Sequence, residues 1–165
     1  MTGMNRTGAS TGAAFMSPVK QIRDLVVLGV FLTEKIPAFI YELAMRISIA
    51  LVFWQSARTK VEGLITVKDS TFFLFQYEYA LPLIPFEWAA YMATYAEHIL
   101  PFFLLIGLGT RFAALGLLVM TLVIQIFVYP GAWPLHLLWA AILTYLVANG
   151  GGVLTFDRWV EKRFS

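Results

Sequence analysis

The chain contains no cysteine. That excludes a disulfide, a thiol nucleophile, thiolate zinc, a cysteine-ligated iron-sulfur cluster and covalently attached c-type haem from the polypeptide itself. Charge is scarce too, at 13% of 165 residues with a net +2, which leaves no basic patch for a nucleic-acid partner. Histidine occurs only at 98 and 136, and from Phe112 to Phe156 no residue carries a formal charge. What is present is apolar: 59% of residues are hydrophobic and the mean hydropathy is +0.74, above the range of an ordinary soluble domain. Fourteen Phe, seven Tyr and five Trp suit lipid-facing rings and interfacial anchors. The chain reads as an all-α, polytopic protein of the lipid bilayer.

Residues 1–17 are rich in Gly, Ser, Thr and Ala and read as a disordered tail. Residues 18–35 carry the run LVVLGVFL, too short to span and followed by no small-residue cleavage site, so a short interfacial helix is expected rather than a signal peptide. A four-helix transmembrane domain is predicted over 36–157. Its spans start after Pro37, near Phe86, after the Gly109–Thr110 turn and near Pro134, with YPGAWP at 129–134 dividing the last two. Residues 158–165 form a basic tail. The segment 58–85 is expected to lie against the membrane surface.

Four spans put both termini on one side. Arg6, Lys20, Arg23, Lys35, Arg111, Arg158, Lys162 and Arg163 fall on that side and Arg58, Lys60 and Lys68 on the other, so the positive-inside rule makes both termini cytoplasmic.

Intramembrane polar residues then need partners. Counting about 1.5 Å per residue sets Arg46 and Glu97 near one depth, with Glu42 a turn nearer the cytoplasm and His98 beside Glu97. Pairing of Arg46 with Glu97 is the expectation. It can be a structural clasp, or Glu97 and His98 can transfer protons or bind a ligand. His98 and His136 differ in depth by roughly 15 Å, too far for two axial haem ligands, and no metal site is expected. Gln55, Gln125 and His136, roofed by Trp133 and its neighbours Trp54 and Trp139, form a candidate outer-half pocket for a quinone head group; the alternative is plain interhelical hydrogen bonding.

The stretches ALVFWQSARTKVEG at 50–63, AEHILPFFLLIGLGTRFAALGLLVMT at 96–121 and NGGGVLTFDRW at 149–159 together resemble the DoxX family of small four-helix bacterial membrane proteins. The chain departs from the family pattern at Ala57 and Gly151. The resemblance implies a bacterial inner (plasma) membrane location and an accessory or anchoring subunit of a membrane redox or metal-handling system. Quinone is then the candidate cofactor, and catalysis lies with a membrane or periplasmic protein partner rather than with this chain alone. A solute or proton-coupled transporter component and a ligand-free scaffold are the other readings.

Overall fold

The computed structural model describes residues 18–164. The tail expected over 1–17 lies outside the described residues. The chain divides into two compact units that meet at Pro37 and Ala38.

The first unit contains α1 (Pro18–Glu34). Its last turn is closed by the Thr33 hydroxyl, which donates to the carbonyls of Gly29 and Val30, and the Lys35 ammonium sits 4.0 Å over the Phe31 ring. Pro37 disfavours helical backbone at Ile36 and so separates this helix from the next.

The second unit begins with α2 (Ala38–Lys60), whose buried residues Arg46, Ile49, Ala50, Phe53, Ala57 and Lys60 recur at helical spacing along one stripe. A two-stranded hairpin follows, β1 (Val61–Glu62) against β2 (Thr66–Val67), turned at Gly63 with φ 64°. Next, α3 (Asp69–Phe73) widens into a π-helical turn at Leu74–Tyr79 and stops at Ala80 in left-handed backbone. Then come α4 (Phe86–Ile106), α5 (Thr110–Val123) continued by π turns at Ile124–Val128, α6 (Trp133–Asn149) and α7 (Phe156–Phe164).

Helices α2, α4 and the 110–128 segment are each long and apolar enough to cross a bilayer, and α6 is a shorter apolar helix. The four pack as a ring, α2 on α4, α4 on α5, α5 on α6 and α6 back on α2, around Ile49, Phe53, Leu104, Leu117, Leu143 and Leu146. Small residues set the approach: a Cβ at Gly116 would lie 2.8 Å from Leu100, so α5 sits close against α4 there.

The turn between α4 and α5 is built from both ends of the unit. Gly107, at φ 73°, closes α4 as Leu108 N–H reaches back to the Phe103 carbonyl at 3.0 Å. Asp157 then caps α5 from across the chain, accepting from Gly109 N at 2.7 Å and Thr110 N at 2.9 Å. A carboxylate on two free amides at a helix N-terminus also meets the positive end of the dipole. The glycine run before Asp157 lets the chain arrive closely, since a Cβ at Gly151 would lie 2.6 Å from Thr155 and 3.0 Å from Arg46.

The segment 58–85 does more than cover a surface. Phe75 packs with Ala89 and Ala90 in a second apolar cluster, so the aromatic π turn is folded against the first half of α4.

Candidate functional site

The expected Arg46–Glu97 pair does not form. Arg46, 1% exposed, gives Nε to the Leu104 carbonyl at 2.8 Å and Nη2 to Leu105 at 2.8 Å, while Nη1 bonds Gly151 at 3.2 Å and Leu154 at 2.7 Å. It is the cap of the α4 C-terminus, where unpaired carbonyls and the negative dipole end favour a cation. Glu97 pairs instead with Lys60, Nζ to Oε2 at 2.7 Å, with the two side chains 6% and 4% exposed. Lys60 also donates to Ser56 Oγ at 2.8 Å.

The reason lies in side-chain direction, which depth alone ignores. Every Cα–Cβ bond tilts toward its helix N-terminus. In the antiparallel pair α2 and α4, Arg46 therefore leans away from Glu97 and onto the last turn of α4. Lys60 and Glu97 lean toward each other. Levels agree: Arg46 reaches Leu104, seven residues or about 11 Å along α4 from Glu97.

The hairpin fixes Lys60 from behind. Its carbonyl, at the α2 C-terminus, accepts from Lys68 N at 3.0 Å and from Thr71 Oγ1 at 2.8 Å. Its position at the end of the span makes Lys60 look like an outer-side charge beside Arg58 and Lys68. One signal could have found it: Lys60 follows Arg46 by fourteen positions, which returns to nearly the same helix face at 100° per residue.

His98 Nδ1 bonds the Thr94 carbonyl at 2.7 Å, so that nitrogen carries the proton, and its ring meets Trp54 edge-on at 5.3 Å between centroids. Glu42 stands at the other end of α2, beside Gly152, and does not join Glu97 and His98 in one cluster.

Of the outer-half residues, two come together. Gln125 Nε2 donates to the Pro130 carbonyl at 2.7 Å, which leaves Oε1 facing His136 Nδ1 at 2.7 Å. A carbonyl and an amide oxygen only accept, so His136 is protonated at Nδ1 and, when neutral, carries its lone pair on Nε2. Gln55 is exposed and Trp133 is 62% exposed, so neither belongs to this pair.

An apolar cavity of about 290 Å³ joins the two polar stations. Its wall includes Lys60, Glu97, Ser56, Tyr79, Tyr129 and His136, with Phe53, Phe75 and Trp139 among its apolar surfaces. Tyr129 donates to Glu78 at 2.5 Å, and its ring meets Tyr79 at 5.8 Å. That carboxylate pushes the Tyr129 phenol up from its ordinary range, and burial pushes Tyr79 up. Both stay protonated donors at neutral pH. Among the described residues no group of three or more His, Asp or Glu is placed to hold a metal ion.

An all-α bundle with long apolar helices, a buried charge pair and a cavity at that pair defines a polytopic membrane protein with an internal cavity. The DoxX family model matches residues 42–130, more than half of the chain, and the chain belongs to the DoxX family. The match takes in Arg46, Lys60, Glu97, His98 and Gln125, and ends before α6 and Asp157. Comparison with curated proteins and with solved structures gives no match.

Proposed function

We propose that this DoxX-family chain is a membrane-embedded binding subunit whose cavity takes the ring of a quinone-like molecule, with electron transfer assigned to a protein partner. The observation that carries the reading is the 290 Å³ cavity with an apolar wall and two separate polar stations, Lys60–Glu97 and His136. A quinone ring needs apolar flanks, a donor for a carbonyl and, once reduced, an acceptor for a hydroxyl. Tyr79 supplies the donor, since Tyr129 gives its proton to Glu78 and Lys60 directs its three to Glu97 and Ser56; neutral His136 supplies the acceptor at Nε2. With no cysteine in the chain, thiol-based redox chemistry falls to the partner.

In this reading the protein lies in the bacterial inner membrane with both termini cytoplasmic and α1 in the interface. The 58–85 segment and the cavity face a periplasmic partner. Burial of Lys60 takes one cation off the outward count and widens the charge asymmetry.

The test is titration of detergent-purified protein with a short-chain ubiquinone analogue, followed by calorimetry. Saturable binding at one site, weakened at least tenfold by His136→Phe, supports the reading. Wild type that binds no analogue, and is purified from its own membranes without quinone, overturns it.

The buried pair at the cavity wall favours a second reading, a proton-coupled transporter component. Glu97→Gln would then abolish uptake of a solute per folded molecule, whatever the variant's stability; uptake per folded molecule equal to wild type, with a loss of thermal stability alone, identifies a structural clasp.

A further inference from the structure

A second, larger cavity of about 780 Å³ opens at the opposite end of the bundle, where α2 begins, α6 ends and the α4–α5 turn lies. Its charged lining is Glu42, Arg111, Asp157, Arg158 and Glu161. Most of these charges are already matched. Asp157 holds the two amides at the start of α5. Arg158 is paired with Glu161.

Two charges of opposite sign remain. Among the described residues Arg111 makes neither a hydrogen bond nor an ion pair, and its Nε lies only 3.5 Å from where a Cβ of Gly150 would stand. Glu42 likewise has no ion pair among the described residues, and it is held against the backbone of Gly152, where an added Cβ would overlap its carboxylate. Arg46, a turn away on α2, attracts Glu42 through space but makes no bond to it, because its donors are directed to carbonyls of Leu104, Leu105, Gly151 and Leu154. Phe39, Phe112 and Val153 add apolar surface to the same rim.

We propose that this cavity binds the head group of an amine-bearing zwitterionic phospholipid, a phosphatidylethanolamine. Arg111 receives the phosphate and Glu42 the primary ammonium, while the apolar rim meets the first acyl carbons. Position supports a lipid: the cavity lies at the helix ends, the level of the head groups, where basic pockets between spanning helices recruit phosphate. Two charges of opposite sign without an ion-pair partner among the described residues select the class. A phosphatidylglycerol offers Glu42 neutral hydroxyls but no cation, and a trimethylammonium cannot donate a hydrogen bond to it, so only a primary ammonium gives Glu42 a charge-assisted bond.

The experiment is native mass spectrometry of the detergent-solubilised full chain with chain-matched phosphatidylethanolamine, phosphatidylcholine and phosphatidylglycerol. Wild type is expected to retain phosphatidylethanolamine at least fivefold over the other two. Glu42→Gln should erase the preference over phosphatidylcholine, Arg111→Gln should weaken all three lipids, and Arg111→Lys should restore most binding. Equal retention of the three lipids by wild type, which needs no variant to fold, overturns the proposal. So does displacement of the lipid by equimolar glycerophosphoethanolamine, which would assign the site to a soluble phosphate ester.

Discussion

Removing either member of the Lys60–Glu97 pair strands a charge that is almost wholly buried. Lys60→Met or Glu97→Gln alone is expected to destabilise the bundle by about 3–5 kcal/mol. The double variant Lys60→Met with Glu97→Gln should cost clearly less than the sum, because it leaves no unpaired ion; reversible unfolding in mixed micelles measures the cycle. Arg46→Lys keeps the charge yet loses the fork that reaches four carbonyls. A loss on the order of 3 kcal/mol is expected in the same assay, from charge-assisted bonds of about 1.5–3 kcal/mol each. Arg46, Glu97, Gln125 and His136, read from sequence as polar groups within the spans, are all buried, and of the four outer-half residues only Gln125 and His136 bond each other. The expected Arg46–Glu97 pairing fails because residue counting gives depth and not the tilt of the side chain, and because a lysine at a span end looks like an interfacial anchor.

Element limits were far more legible, since proline and glycine mark them. Pro37 precedes α2, Gly109 precedes α5, and YPGAWP separates α5 from α6, each within a few residues of the spans read from sequence. The π turns at 74–79 and 124–128 were not legible. A wide turn leaves no signature in a 3.6-residue pattern, yet the second of them carries Gln125, the partner of His136. The Asp157 cap also escaped a local reading, as its amides lie far back in the chain. Asp157→Ala should cost about 1–2 kcal/mol. Hydrogen exchange at the amides of Gly109 and Thr110 should rise, and exchange in the middle of α2 should change little.

At the scale of the whole molecule, the absence of native cysteine makes orientation directly measurable. A cysteine placed at Gly131 should react with an impermeant maleimide added outside intact spheroplasts, and one at Gly109 should react only after the membrane is opened. The opposite pattern would reverse the bundle. The Arg46 tether also orders events in time. Its acceptors at Leu104 and Leu105 are made 58 and 59 residues later, and those at Gly151 and Leu154 follow by 105 and 108. At roughly 5–20 residues per second, the guanidinium waits about 5–20 s after its own synthesis for the last of them. Throughout that wait the nascent first span holds an incompletely matched cation. A chain stopped before Gly150 never supplies the last two acceptors and should be cleared faster than the 165-residue chain by membrane proteases in pulse-chase.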